Sequence, residues 1–165
     1  MKKAILLVIT LVFSCIEKEE KDFVVLEFNQ DWYWIYKNAE PSNLKKVELD
    51  LIEQILIKAV EEYNLGNLDE IEKRKKWFKK EFPEKHFDES WPKLTIYLKD
   101  YKRQYFPVIT ENGEKEVWVN LFCTTEYTNW REEIVIYYDG GNCFFNLKIN
   151  LDNQSYLDFH VNGHA

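Results

Sequence analysis

The chain has 165 residues, of which 45% are hydrophobic and 16% aromatic, a composition that is typical of globular proteins and excludes collagen-like and disordered chains. Its 29 acidic residues outnumber its 22 basic ones, so the formal net charge is −7 at pH 7. Because an acidic protein repels phosphate groups, this balance disfavours nucleic-acid binding and membrane attachment through a basic patch.

The first fourteen residues predict a signal peptide. A charged start at residues 2–3 precedes an apolar run over residues 4–13, which Ser14 and Cys15 follow. The run of about ten residues is too short to span a bilayer, which needs roughly 20. Val12-Phe13-Ser14-Cys15 resembles the lipobox of bacterial lipoproteins, although its phenylalanine departs from the commonest box. The resemblance implies cleavage after Ser14 and acylation of Cys15; an ordinary secretory signal is the alternative.

Residues 15–22 predict a lipidated cysteine followed by a charged tether. Within it, Lys18-Glu19-Glu20 resembles the acidic export signal that sends some bacteroidetes lipoproteins to the cell surface. We therefore expect a protein of the cell envelope that contacts the membrane through its lipid anchor in the outer membrane. Both the periplasmic and the surface-exposed side stay open.

Residues 23–165 predict a single domain that opens with an extended segment and a long helix. Residues 23–36 are rich in β-branched and aromatic residues, which is typical of a strand or an extended arm. The apolar residues that follow recur at helical spacing and predict a helix over about residues 43–64. Ser42 is placed to cap the start of this helix, and Gly66 is placed to stop it.

A second, shorter helix is predicted over residues 69–82. Its acidic residues come first and the basic residues of positions 73–80 come later, an order that suits the helix dipole. Pro83 is expected to end this helix, because proline cannot continue a helical ladder.

The C-terminal half predicts successive antiparallel strands. Asn112-Gly113 between apolar runs is a strong hairpin signal, and residues 139–142 predict a second tight turn. Pro107 argues for an edge strand or a bulge, because proline has no amide hydrogen to give to a sheet. The predicted strands span residues 103–110, 116–123, 133–138, 143–150 and 155–161.

Helices followed by a run of strands predict an α+β fold, with the long helix packed on a curved antiparallel meander of four to five strands. This arrangement resembles the cystatin-like or NTF2-like architecture. The resemblance concerns architecture alone and implies no activity.

Alternation along the strands separates a core face from a second face of mixed character. Wholly apolar sets in the second, fourth and fifth strands are expected against the helix, including Leu157, Phe159 and Val161 of the fifth. The second face combines aromatic rings with amides, which suits a small ligand, a glycan or a peptide. Alternatively, the arm of residues 23–36 covers its apolar part. The candidate binding residues are Trp118, Asn120, Phe122, Phe144, Asn146, Tyr156 and His160.

Cys123 and Cys143 are expected to be free, buried thiols. In a simple meander the end of the second strand and the start of the fourth lie at opposite ends of the sheet, beyond the reach of a disulfide. A different topology would join them.

Chemistry-bearing residues are sparse. Asp158 and His160 share a strand face, but we find no further ligands at the spacing of a zinc site, so no metal and no cofactor are expected. Serines and glycines lack the context of a nucleophile elbow or a phosphate loop. We therefore expect no catalytic residues and no enzymatic activity.

The C-terminal region, including Asp139-Gly140-Gly141-Asn142-Cys143-Phe144-Phe145 and the terminal Val161-Asn162-Gly163-His164-Ala165, together with the lipobox resembles a group of bacteroidetes-type lipoproteins without an established activity. The leading hypothesis is a membrane-anchored, non-catalytic binding or interaction module for a protein, peptide or glycan. One alternative is an inhibitor or immunity-type protein, whose acidic charge suits a basic toxin or protease. The other is a small enzyme on an NTF2-like scaffold that uses Asp158 and His160.

Overall fold

The computed structural model describes residues 22–87, 95–124 and 129–163. The predicted signal peptide, Cys15 and all of the tether except Asp22 lie outside these residues. The described residues form one long helix and a six-stranded, mostly antiparallel open sheet, which confirms the α+β class. In chain order the elements are β1 (Phe23–Val25), β2 (Glu40–Pro41), α1 (Lys46–Glu81), β3 (Lys102–Ile109), β4 (Lys115–Phe122), β5 (Phe144–Asn150) and β6 (Ser155–Val161).

Strands β3 to β6 form an antiparallel meander, and two short strands extend it beyond β3. β1 runs parallel to β3 and β2 runs antiparallel to it, at different positions along the same edge. Pro107 therefore lies in an interior strand, and the prediction of an edge position is wrong. The carbonyl oxygen of Pro107 accepts from the N–H of Ser42 at 2.9 Å, and its nitrogen points to the same side of β3. Pro107 lies between the residues of β3 that pair with β1 and those that pair with β2, so its missing N–H breaks neither ladder.

Helix α1 begins at Lys46, three residues later than predicted. The backbone N–H of Lys45 donates to the carboxylate of Glu48 at 2.6 Å, and this contact caps the first turn. Ser42 is not the cap, because Lys45 occupies the N-cap position and Ser42 lies three residues before it. The prediction from the sequence missed this start because lysine is not among the usual N-cap residues.

One continuous helix of 36 residues replaces the two predicted helices. Gly66 does not stop α1 but lies inside it, where a glycine costs about 1 kcal/mol relative to alanine. The helix ends at Glu81, two residues before Pro83, as the proline predicts. Within the described ranges, no helix is both long and apolar enough to cross a membrane.

Helix α1 packs on one face of the sheet and forms the main core. The apolar alternation predicted for β4 and β5 is confirmed, because their inward residues lie fully buried against the helix. The helix contributes Ile52, Ile55, Leu56, Ala59 and Val60, and the two strands contribute Val117, Val119, Leu121, Phe145, Leu147 and Ile149.

The predicted third strand over residues 133–138 is wrong. These residues form no strand, and β4 pairs directly with β5, with Phe122 opposite Phe144. Val135 is buried because the segment lies across the sheet face that α1 leaves uncovered. Its apolar residues thus meet the sheet from above instead of joining its ladder.

Cys123 and Cys143 form a disulfide, with their Cα atoms 5.0 Å apart, so the prediction of free thiols is wrong. That prediction placed a strand between β4 and β5 that does not exist. Because the two strands are direct partners, the end of one meets the start of the other, and the N–H of Cys123 donates to the carbonyl oxygen of Cys143 at 3.0 Å. Neither cysteine lies in the core, since Cys123 is exposed and Cys143 is half-buried.

A bulge interrupts the pairing of β6 with β5. His160 lies opposite Asn146, whereas Leu157 lies opposite Lys148, so β6 carries one extra residue in this interval. Asp158 adopts a left-handed backbone conformation there, with φ of 54°. One extra residue moves the side chains before it to the other face of the sheet.

The bulge corrects the predicted faces of two residues. Tyr156 points to the helix side, where its hydroxyl donates to Glu62, and it does not lie on the candidate binding face. Leu157, predicted in the core, is 54% exposed. Phe159 and Val161 follow the bulge and pack on the core as predicted.

Candidate functional site

The N-terminal arm covers part of the sheet face opposite α1. Phe28, Ile35 and Tyr36 of the arm form a second buried cluster with Phe106 and Trp118 of the sheet. The sequence left open whether this face is free or is covered by the arm of residues 23–36. The arm covers its apolar part. The apolar part of the face under the arm is therefore closed to a ligand.

Two buried amides hold the loop of residues 129–138, which lies over the same sheet face beside the arm. Gln104 donates to the carbonyl oxygens of Trp130 and Glu133, both at 2.6 Å, and accepts from the N–H of Val135 at 2.9 Å. Asn120, its cross-strand partner, donates to Gln104 at 3.1 Å and to the carbonyl oxygen of Val135 at 2.7 Å. The two side chains thus satisfy backbone groups that have no strand partner, as buried polar groups require.

Further contacts hold the C-terminal part of the same loop. The disulfide of Cys123 and Cys143 closes the base of the connection between β4 and β5. After β6, the side-chain amide of Asn162 donates to the carbonyl oxygens of Tyr137 and Asp139 at 2.5 and 3.0 Å. The loop has no regular secondary structure, but Gln104 and Asn120 hold its first part and Asn162 holds its last part.

Between the arm and this loop, the sheet face stays open as a cleft of about 250 Å³. This volume is just below the ~300 Å³ at which small-molecule sites usually begin, so the cleft has room for about one ring-sized group. Its lining residues are Trp34, Trp118, Asn120, Val135, Ile136, Tyr137, Tyr138, Phe144, Phe145, Asn146, His160 and Asn162.

Two aromatic pairs line the cleft. Trp34 meets Trp118 edge to face, with 5.6 Å between ring centroids, and Tyr137 stacks on Phe144 at 4.6 Å. Trp34 is 53% exposed and Tyr137 is 50% exposed, so their rings offer apolar faces to solvent. Each pair fixes the orientation of its exposed member, which lowers the entropy lost when a ligand packs on it.

The polar groups of the cleft carry little formal charge. None of its lining residues in the described part of the chain is an aspartate, glutamate, lysine or arginine. His160 and Tyr138 are exposed there, and the indole of Trp118 donates to Asn146 at 3.3 Å. This arrangement favours a neutral ligand with an apolar face and hydrogen-bonding edges.

Lys148 lies opposite Trp118 in the sheet but does not line the cleft. Lys148 contacts Asp158 at 3.1 Å and lies 5.0 Å from the ring centroid of Tyr36. Burial, together with the nearby Glu116 carboxylate, raises the pKa of Tyr36 far above its ordinary value, so its phenol stays neutral. Asp158 thus pairs with Lys148 and does not line the cleft, whereas His160 does.

The structure places the predicted binding residues unequally. Phe122 lies on the expected face but is fully buried, with its ring 5.8 Å from that of Trp130. Tyr156 lies on the opposite face, as described above. The residues that line the cleft are Trp118, Asn120, Phe144, Asn146 and His160.

Sequence reasoning missed seven lining residues, which are Trp34, Val135, Ile136, Tyr137, Tyr138, Phe145 and Asn162. Trp34 belongs to an aromatic run in the arm, and Tyr137 and Tyr138 belong to the segment predicted as a strand. Asn162 follows β6. The run of exposed aromatic residues was a signal, but the alternating pattern gave no sign that the segment lies across the sheet.

Neither a metal site nor a thiol nucleophile is found in the described ranges. No group of three histidine, cysteine, aspartate or glutamate side chains comes close enough there to hold a metal ion. The thiol of Cys123 is consumed in the disulfide. Comparison with models of protein families, with curated proteins and with solved structures found no match to this chain.

Proposed function

We propose that this protein is a lipid-anchored binding module of the cell envelope and that its cleft takes one sugar unit of a neutral glycan. The observation that carries the proposal is the open cleft bordered by the Trp34–Trp118 and Tyr137–Phe144 pairs. The cleft binds its ligand without catalysing a reaction.

Sugar chemistry fits this cleft in three ways. A pyranose ring has a flat apolar face that packs on exposed aromatic rings such as Trp34. Its hydroxyl groups lie at the edge of the ring, where His160 and Tyr138 offer hydrogen-bonding groups. An uncharged ligand also matches a lining without acidic, lysine or arginine side chains. A peptide would enter by placing one uncharged ring, such as proline or tyrosine, in the same volume.

The disulfide supports export from the cytoplasm. Such bonds persist in oxidising compartments and are rare where thiols are kept reduced. The proposed lipoprotein processing at Cys15 would place the domain in such a compartment, on the periplasmic or the outer side of the outer membrane. Two or more acyl chains give stable anchoring, whereas one chain gives only reversible binding.

We further propose that the fold is of the cystatin-like or NTF2-like kind. A long helix that precedes an antiparallel meander and packs on one of its faces supports this assignment. The sequence order of α1 and β3–β6 fits either architecture.

The binding proposal is tested by titrating neutral and acidic oligosaccharides into the protein by isothermal calorimetry. We expect binding of neutral sugars, weakened about five- to tenfold by His160→Ala or Tyr138→Ala, because each removes a contact worth about 1 kcal/mol. Trp118 is unsuitable for this test, since it is 5% exposed and its loss would disturb packing.

Tyr97→Ala is the matched control, because Tyr97 is 58% exposed and does not line the cleft. An equal loss in the control and the cleft variants would contradict the assignment of the cleft. Binding of ring-bearing peptides but no sugar would replace the glycan by a peptide ligand.

Lipid attachment is tested separately in the native host. Labelled palmitate should appear on the wild-type chain and be absent from Cys15→Ser, which should also leave the membrane fraction. Unlabelled wild-type protein, or a variant that is processed and retained as before, would refute the anchor.

A further inference from the structure

The second half of helix α1 extends beyond the core. The helix is about 54 Å long at 1.5 Å per residue, but its buried residues all lie between Ile52 and Val60. Tyr63 still stacks on Phe159 of β6, and the side chain of Asn64 bonds to the backbone of Ile96. Beyond these contacts, residues 65–81 form about five further turns of helix and carry only exposed or half-buried residues.

Charge is strongly segregated onto this part of the helix. Residues 73–80 hold six of the 22 basic residues and none of the 29 acidic ones. The rest of the chain therefore carries 16 basic and 29 acidic residues, so a compact basic segment projects from an acidic domain. Lys76, Lys79 and Lys80 are exposed. The negative net charge of the whole protein therefore gives no indication of this basic segment.

An exposed tryptophan lies among these lysines. Trp77 is 57% exposed, and its ring contacts that of Phe82, which is 38% exposed, with 6.0 Å between centroids. Trp77 and Lys80 are three positions apart and so share one face of the helix, and Lys73 on the same face is already paired with Asp69 and Glu70. A tryptophan flanked by lysines is the combination that helices present to the headgroup level of a membrane.

We infer that residues 73–82, which we call the basic tip, dock on a lipid surface that bears anionic headgroups. Lysine ammonium groups pair with lipid phosphates, and the indole of Trp77 enters the headgroup layer with its apolar face. The acidic remainder of the protein is repelled by the same surface, so the charge separation along α1 orients the molecule with the basic tip toward the lipid.

This inference is independent of the cleft and its ligand. Each lysine near an anionic surface strengthens binding about fivefold, and the attraction falls within a Debye length. A basic tip therefore gives weak, salt-dependent binding, which becomes effective when a lipid anchor keeps the protein near the membrane.

The test uses the chain from residue 15 on, with Cys15→Ser so that no acyl chain contributes. Sedimentation with vesicles of phosphatidylcholine and phosphatidylglycerol measures binding, and pure phosphatidylcholine vesicles are the neutral reference. We expect binding to the anionic vesicles only, weakened on the order of a hundredfold by the triple change Lys76→Gln, Lys79→Gln and Lys80→Gln. We also expect a severalfold loss with Trp77→Ala.

The matched control removes the same charge elsewhere, through Lys37→Gln, Lys58→Gln and Lys99→Gln at exposed positions. Circular dichroism confirms that all variants fold. Equal binding to neutral and anionic vesicles, or equal losses in the triple variant and its control, would overturn the inference. Binding to polyglutamate without binding to anionic vesicles would also overturn it, by assigning the basic tip to an acidic protein.

Discussion

Replacing both cysteines of the disulfide should destabilise the fold by a predictable amount. The bond joins positions 20 residues apart, Cys123 and Cys143, and thus restricts a closed loop in the unfolded chain. The chain-entropy relation gives about 3 kcal/mol at 25 °C for a loop of this size. Serine replaces each cysteine without a packing defect, because neither residue lies in the core. The double variant should therefore lose about 3 kcal/mol of unfolding free energy.

Urea unfolding followed by tryptophan fluorescence measures this loss for the oxidised wild type, the reduced wild type and the double serine variant. The two forms without the bond should agree with each other and unfold at a midpoint about 1–3 M lower. A difference below about 1 kcal/mol, or free thiols in protein isolated from its host under native conditions, would refute the reasoning.

Three further predictions concern the helix, a buried phenol and the loop. Gly66→Ala should raise the unfolding free energy by about 1 kcal/mol, since nothing lies within 4 Å of the added carbon, whereas Gly113→Ala should lower it because of its φ of +81°; urea midpoints that move together would contradict this. Burial raises the pKa of Tyr101 to about 12 from 10, so its contribution to stability is present below pH 10 and is lost as pH rises toward 12. Tyr101→Phe should flatten that part of the stability profile, and an unchanged slope would count against it. Gln104→Leu should lower the unfolding free energy by about 3 kcal/mol by leaving three backbone groups without a partner, and should speed amide exchange in residues 129–138; unchanged exchange there would show that the loop does not depend on Gln104.

The sheet face packed against α1 could be predicted because a single rule decides it, namely that successive side chains of a strand alternate between the two faces of the sheet. In β4 and β5, each second residue is apolar and each is buried, so alternation and burial carry the same information. The same rule brought five candidate residues to the cleft. The rule failed in β6, where Asp158 in a left-handed conformation shifts the alternation by one residue. No single residue type marks a bulge of this kind in advance.

Helix length was misjudged for a different physical reason. Gly66 is a strong stop signal at the end of a helix, but inside a helix it is only a cost of about 1 kcal/mol. Lys73 lies within ion-pair distance of Asp69 and Glu70, and such exposed pairs together offset part of that cost. Gly66 ends the helix only if the residues after it do not themselves form a helical turn. Here the residues on both sides of Gly66 favour helix, so the helix continues.

The cleft could not be predicted from strand patterns, because one of its walls has no regular structure. Residues 133–138 combine apolar and polar positions in a way that fits a strand, yet their partners are the side chains of Gln104 and Asn120 and not a neighbouring strand. A strand prediction counts the segment's own residues, whereas this loop is held by amides on two distant strands. The most informative sequence signal for the loop is therefore Gln104 itself, an amide that precedes the apolar run of residues 105–109 in β3 and is fully buried. Because a buried amide must find partners, such a residue indicates that irregular backbone packs on that face of the sheet, and here that backbone forms the wall of the cleft.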